Sequence, residues 1–134
     1  MLMVYKMPAN YKFRFNKRKI YNAAKNRSIR SLGHAGASVR LTARRSIRRS
    51  KSASLAGNPV NTRKGLVKRA ILYSVNRSRQ SALIGPAFSL IGKSAAAHEF
   101  GKRYKGDKYP KRPFMGPALL KIKSRLPKFW SVKI

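Results

Sequence analysis

Two short segments near the C-terminus decide how this chain folds. Residues 97–101 are Ala-His-Glu-Phe-Gly, and residues 112–119 are Arg-Pro-Phe-Met-Gly-Pro-Ala-Leu. The first segment holds Glu99, one of only two acidic residues in the chain. A single carboxylate among so many cations is expected to be paired, because charge-assisted bonds are strong. We therefore expect Glu99 to bond to Arg112, or failing that to Arg103, within the subunit or across a subunit boundary.

The two phenylalanines of these segments are expected to pack on the sheet and to hold the basic loop between them. They complete a predicted joint that would act as a structural lock or a subunit interface. The residues of this joint are Glu99, Phe100, Arg112 and Phe114.

Hydrophobic periodicity predicts a long helix upstream of the joint. Apolar and small residues recur every three or four positions over residues 17–51, which predicts one long basic helix. Its stripe is narrow and contains small residues such as Ala35 and Ala43, so a neighbouring element should pack closely on it. Gly33 and Gly36 lie within the pattern and are candidate positions for a kink.

The spacing of apolar residues also predicts the remaining elements: a two-residue period predicts strands, and a three-to-four-residue period predicts a C-terminal helix. Residues 66–75 and 80–84 are expected to be strands of a β-hairpin spanning residues 66–88, with a basic turn at its tip. Residues 1–16 alternate aromatic and cationic side chains and are expected to form an extended arm. Residues 114–134 are expected to form a C-terminal helix and tail, with Leu119, Ile122 and Leu126 on the apolar face of the helix. The expected fold is a single α+β domain over residues 1–134, in which the long helix packs on a small antiparallel sheet.

Charge dominates the composition. The chain has 33 Lys and Arg against 2 Asp and Glu, a formal net charge of +31. Such a chain repels itself strongly and favours a polyanionic or acidic partner. We expect the basic side of the long helix to face a polyanion, with contact to an acidic protein and simple solvation as the alternatives. The candidate polyanion-facing residues are Arg40, Arg44, Arg45, Arg48, Arg49 and Lys51.

The residue types argue against an enzyme. There is no cysteine, and only two histidines and two carboxylates are available for acid–base work. His98-Glu99-Phe100-Gly101 lacks the second histidine of a zinc helix. We expect no catalytic residue, no metal and no cofactor. No uncharged run is long enough to cross a bilayer, so no membrane partner is expected.

Above the level of single residues, a series of short motifs resembles a known family. In chain order the motifs are Gly57-Asn58-Pro59, Gly65, Ile71-Leu72-Tyr73, Ala82-Leu83-Ile84-Gly85-Pro86, His98-Glu99-Phe100-Gly101 and Pro110-Lys111-Arg112-Pro113-Phe114-Met115. Their order and spacing resemble the small neck, or tail-completion, proteins of tailed bacteriophages. Lys111 departs from that pattern, where the family has a small residue, and the family is not normally this basic.

The resemblance implies a structural virion protein that forms a ring at the head–tail junction, six-fold in preference to twelve-fold. It implies assembly in the host cytoplasm, and partners among portal, adaptor or head-closure and tail proteins. Packaged double-stranded DNA in the channel would be the polyanion, bound without sequence specificity. The residues leave two alternatives open: a ribosomal or other structural nucleic-acid-binding protein, whose basic helix would lie on RNA, and an architectural DNA-binding protein that acts alone.

Overall fold

The chain has an α+β fold in which a long N-terminal helix packs on a β-hairpin and a C-terminal helix, as the sequence predicts. The computed structural model describes residues 16–131. The predicted arm, apart from Asn16, lies outside the described residues, and so do residues 132–134 of the predicted tail. The elements in chain order are α1 (Lys17–Ser46), α2 (Leu66–Ala70), β1 (Ile71–Asn76), β2 (Ser81–Pro86), α3 (Phe88–Ile91), α4 (Ser94–Phe100), β3 (Arg103–Tyr104), β4 (Asp107–Lys108), α5 (Met115–Ile122) and a 3₁₀ helix (Lys123–Trp130).

Helix α1 is continuous through both of its glycines but ends five residues before the predicted boundary at residue 51. Beyond Ser46 the backbone is extended and bonds to a distant segment. The N–H of Thr62 donates to the carbonyl of Arg48 (2.9 Å), and the N–H of Ser50 donates to the carbonyl of Thr62 (3.1 Å). These bonds replace further helical turns, which would have stacked like charges four residues apart.

The hairpin is present, but the first part of its predicted first strand is helical. Residues 66–70 form one helical turn that starts after Gly65, whose φ is +76°. A short apolar run cannot be assigned to strand or buried helix by periodicity alone. β1 and β2 then pair antiparallel, with Ile71 opposite Pro86 and Tyr73 opposite Ile84.

The hairpin packs on the small-residue stripe of α1, which confirms the close packing that the sequence predicts. Gly36 lies under the ring of Tyr73, and a Cβ at Gly36 would come within 2.9 Å of Tyr73 Cδ2. Only glycine allows the strand to approach this closely. The Nε of Arg40 also donates to the carbonyl of Ile71 (3.0 Å), so the helix is hydrogen-bonded to the start of β1.

The C-terminal segment packs along α1 with a face that agrees only in part with the predicted one, since Ile122 belongs to both. Ala118 and Ile122 are buried, whereas Leu119 is exposed and Leu126 is half-buried. The buried face of α5 is therefore formed by Ala118 and Ile122, and Leu119 lies outside it. Further along, Ser31 Oγ donates to the carbonyl of Phe129 (2.7 Å), which attaches the 3₁₀ helix to α1.

The core lies where α1, the hairpin and α5 meet. Phe114 is its largest fully buried side chain, together with Ile47 and Ile71. The other members of this core are the buried residues Ala43, Val60, Ala95 and Ala118. Because most of them are small, a single aromatic ring fills much of the space between the elements.

Candidate functional site

Glu99 binds the first turn of α5. From the end of α4, its Oε2 accepts hydrogen bonds from the backbone N–H groups of Phe114 (2.8 Å) and Met115 (3.1 Å), and its Oε1 accepts one from Gly116 (2.9 Å). The first N–H groups of a helix have no partner within the helix and carry partial positive charge. A carboxylate that accepts three of these N–H groups supplies their missing hydrogen-bond partners and balances their partial positive charge. Glu99 therefore caps a helix that is distant in sequence.

The predicted bond between Glu99 and Arg112 within the subunit is therefore wrong. The Nε of Arg112 instead donates to the carbonyl of Ser54 (2.7 Å), and its backbone N–H donates to the carbonyl of His98 (2.7 Å). Arg112 thus ties the loop after α1 to the end of α4. The alternative partner, Arg103, begins β3 and is exposed.

The two phenylalanines of the predicted joint have opposite positions. Phe114 is 1% exposed and lies in the core, whereas Phe100 is 64% exposed. The expectation that both pack on the sheet is correct only in placing Phe114 inside the protein. Phe100 stays at the surface, with the Nζ of Lys102 5.3 Å from its ring centre. Of these two rings, only Phe100 is accessible to a partner.

The six predicted polyanion-facing residues do not share one helix face. Arg40, Arg44 and Arg45 are on α1, while Arg48, Arg49 and Lys51 follow its end in the extended segment. Two of the six donate a side-chain hydrogen bond to a backbone carbonyl within the described residues, which makes them structural. Arg40 braces β1, as described above, and the Nε of Arg49 donates to the carbonyl of Arg63 (3.1 Å).

Arg45 instead shares a cleft with two cations that sequence reasoning missed. Lys121 and Arg125 come from the C-terminal segment and line this cleft of about 400 Å³, between α1 and α5. We call it the α1–α5 cleft. The spacing of Lys121 and Arg125 is visible in the sequence, but their approach to Arg45 depends on how the two elements pack.

A second cationic groove lies further along the same pair of elements. Arg27, Arg30 and His34 line it together with Phe129 of the 3₁₀ helix, and its volume is about 460 Å³. We call it the α1–3₁₀ groove. Within residues 16–131, no Lys or Arg nitrogen lies within 4.0 Å of a carboxylate oxygen. Neither groove therefore contains an acidic side chain that neutralises its cations.

A separate surface is apolar. The outward face of the hairpin carries Leu72 and Leu83, and Phe88 follows at the start of α3. Leu83 and Phe88 are 78% and 69% exposed, respectively. We call these three residues the hairpin apolar face. Apolar side chains that cluster in this way on a small domain indicate an interaction surface.

His98 is the one group in the described chain whose pKa is clearly displaced. Burial lowers the pKa of His98 below its ordinary value of 6.5, and the charge of Arg112 lowers it further. Its ring packs edge-on against Tyr109, with 5.0 Å between ring centres. Nδ1 of His98 is buried and has no hydrogen-bond partner among residues 16–131. The folded state therefore favours neutral His98.

We expect the free energy of unfolding to fall as the pH is lowered from about 7.5 to about 5. The pKa of His98 is lower in the folded chain than in the unfolded one. As the pH falls through about 6.5, the unfolded chain therefore takes up a proton first and is stabilised. One proton gives a slope of at most about 1.4 kcal/mol per pH unit. Urea denaturation at a series of pH values measures this slope.

Two variants test whether His98 causes this pH dependence of the free energy of unfolding. His98→Phe keeps a ring against Tyr109 and removes the titrating group, so its stability should change much less over the same pH range. His34→Gln removes the other histidine and should behave like the parent chain. A His98→Phe protein with an undiminished slope would show that another group is responsible.

The described residues contain no cluster of three or more histidine, cysteine, aspartate or glutamate side chains able to hold a metal ion. None of the helices described in residues 16–131 is long and apolar enough to cross a membrane. In comparisons with protein families, curated proteins and solved structures, nothing matches this chain.

Proposed function

We propose that this chain is a structural subunit of a ring at the head–tail junction of a tailed bacteriophage, with a cationic surface near the DNA channel. The observation that carries the proposal is the uncompensated charge. Two carboxylates face 33 cations, and one of the two, Glu99, is already engaged by backbone N–H groups. Neutralisation therefore has to come from outside the chain, and a polyanion supplies it with a gain in affinity because its condensed counterions are released.

Double-stranded DNA supplies that neutralisation well. It carries one negative charge per about 1.7 Å of its axis, and binding by Lys and Arg releases its condensed counterions. Such binding requires no base reading, which suits a channel through which any sequence must pass. In a hexamer, six copies of the cationic grooves would surround the DNA.

Assembly into a ring is supported by the motif order described above and by the exposed apolar residues. The hairpin apolar face lies on one part of the subunit, and Leu119 and Leu120 are exposed on α5. An interface between two different surfaces of the same chain is heterologous, and it generates a ring when the rotation closes. We propose that the hairpin apolar face, with Phe100, contacts a second copy of this chain. The remaining surfaces would meet acidic faces of portal, adaptor or head-closure and tail proteins.

The test is the oligomeric state together with incorporation into particles. Native mass spectrometry and electron microscopy of the full chain, with and without duplex DNA, should show closed rings. Particles assembled without this protein should gain it and become complete when it is added. A chain that stays monomeric at high concentration and does not join such particles would contradict the proposal.

A matched pair of variants locates the ring interface. Leu83→Glu puts a carboxylate on the hairpin apolar face and should abolish rings. Leu55→Glu makes the same change at a position of nearly equal exposure (77% against 78%) on the loop after α1. This control should assemble like the parent chain. Equal assembly of both variants would show that the hairpin apolar face is not the interface.

A second candidate is a ribosomal or other structural nucleic-acid-binding protein, and one observation favours it. The first part of α1 is exposed on most of its surface, including Ile20 and Tyr21, while carrying several cations. A helix of this kind often bridges to another molecule. Co-purification with ribosomes from infected or expressing cells, released by ribonuclease, would favour this candidate over a virion protein.

A further inference from the structure

We propose that the α1–α5 cleft, lined by Arg45, Lys121 and Arg125, is a seat for the phosphate backbone of double-stranded DNA, in which each of the three cations contacts its own phosphate. This inference rests on the proposed function in taking DNA as the polyanion. It goes further by naming the residues that hold the phosphate backbone, two of which lie outside the basic stretch at residues 40–51.

Three cations line this one cleft, and no acidic side chain is among its lining residues. Lys121 and Arg125 are four residues apart and Arg45 comes from the facing helix. Like charges at this spacing repel each other. An anion in the cleft relieves that repulsion, and a guanidinium can bind phosphate through two parallel hydrogen bonds.

Within residues 16–131, the cations are the polar side chains of the cleft that remain free to donate to an anion. The cleft also contains the hydroxyls of Thr42 and Ser46. Thr42 donates to the carbonyl of Ser38 (2.9 Å), and Ser46 donates to that of Ala43 (2.7 Å). Both hydroxyl hydrogens are thus used within α1. Recognition would then depend on charge alone, as expected for contact with the phosphate backbone and not with bases.

The α1–3₁₀ groove provides a second cationic site along the same helix. Arg30 in that groove and Arg45 in the cleft are on the same helix, roughly 22 Å apart at 1.5 Å per residue. That distance corresponds to about six or seven base pairs of duplex at 3.4 Å each. Two separated cationic sites, the α1–α5 cleft and the α1–3₁₀ groove, suit a long polyanion better than a single small anion.

The lining of the α1–α5 cleft suits DNA better than an acidic protein. The core of a protein interface is enriched in aromatic and apolar anchors and depleted in charge. In the α1–α5 cleft the side chains are instead cationic, small or hydroxyl-bearing, except for the buried Ile122. Exposed apolar side chains lie outside the cleft lining, on the hairpin apolar face and at Leu119 and Leu120 of α5.

The experiment measures binding of the full chain to a fluorescent 20-base-pair duplex by anisotropy, between roughly 50 and 200 mM salt. In the triple variant R45Q/K121Q/R125Q, the slope of log affinity against log salt should become shallower by about 2.7, for three lost phosphate contacts. The loss of affinity across that salt range would then be about 40-fold smaller than in the parent chain. The control R77Q/R79Q/K108Q removes the same charge from exposed positions in the β1–β2 turn and in β4, and it should change the slope by less than about one.

Further variants separate the alternatives. R45K/R125K keeps the charges and should keep the slope, and T42V/S46A should bind like the parent chain. If R45Q/K121Q/R125Q does not fold, as judged by circular dichroism, the single change R125Q should still reduce the slope by about 0.9. Equal slope changes in the cleft triple and the control triple would overturn the seat, because net charge alone would then explain binding. A cleft triple that loses binding to poly-glutamate but keeps its DNA slope would overturn it in favour of an acidic protein.

The seat and the ring proposal fail separately. If the parent chain forms rings but R45Q/K121Q/R125Q leaves the salt slope of DNA binding unchanged, only the proposed phosphate seat is contradicted. If the parent chain forms no rings but the salt slope of its DNA binding depends on the cleft cations, the phosphate seat is supported and the proposed neck function is contradicted.

Discussion

Replacing Phe114 with alanine should lower the free energy of unfolding by about 3–5 kcal/mol, a large fraction of the roughly 5–15 kcal/mol that stabilises a typical domain. The ring is 1% exposed and is the largest fully buried side chain in the described chain. Its core neighbours include Ala43, Ala95 and Ala118, which are too small to close a cavity of that volume. The loss therefore includes both the transfer free energy of the ring and the cavity that remains.

Phe100→Ala is the matched control for this change. It removes the same side chain 14 positions upstream, from a site that is 64% exposed. We expect a change of less than about 1 kcal/mol in the free energy of unfolding. Urea denaturation of both variants gives the comparison. If the two losses were similar, Phe114 would not be the centre of the core. Under the proposed function, Phe100→Ala should instead weaken ring assembly.

The sequence predicts the layers of the fold better than the ends of its elements. A 3.6-residue period over α1 and a two-residue period over the hairpin follow from which faces are buried, so both elements were predictable. The end of α1 at Ser46 was not, because it depends on backbone bonds between Arg48 and Thr62, 14 residues later. Likewise, residues 66–70 are too short a run for periodicity to separate a helical turn from a strand.

For the candidate site, the sequence predicts which residue matters but not its partner. Glu99 stands out because acidic residues are so rare in this chain. Its partners are backbone N–H groups, which every residue except proline carries, so no side-chain pattern reveals them. Lys121 and Arg125 were missed for a similar reason. Their significance depends on packing against Arg45, a contact between elements far apart in sequence.

The structure also divides the cations into two kinds. Arg40, Arg49 and Arg112 each use Nε to hold a backbone carbonyl of another segment, which makes them braces of the fold. Arg45, Lys121 and Arg125 line an open cleft. Substitution of a brace should reduce stability and binding together, whereas substitution in the cleft should reduce binding with little change in stability. The two kinds of cation are therefore distinguishable by measuring both quantities on each variant.

Glu99→Gln should lower the free energy of unfolding by about 2–4 kcal/mol. The change keeps the shape of the side chain but removes its charge and one of its two acceptor oxygens. Three N–H groups, of Phe114, Met115 and Gly116, then compete for one amide oxygen, while the new amide NH₂ faces donors. The first turn of α5 loses its cap, and the adjacent Phe114 loses the backbone bond that holds it in register with the core. Thermal denaturation should show a fall in Tm of about 10 °C for a chain of this length.

Asp107→Asn separates the loss of the cap from the loss of one negative charge. Asp107 is the other carboxylate, exposed on β4, and its substitution changes the net charge by the same amount. We expect its effect on the free energy of unfolding to lie within about 0.5 kcal/mol, as for most exposed substitutions. Similar destabilisation by both variants would mean that the scarcity of acidic residues, and not the geometry at α5, makes Glu99 important. A large effect confined to Glu99→Gln would instead show that this carboxylate stabilises the subunit from within, since its oxygens bond to backbone N–H groups of its own chain.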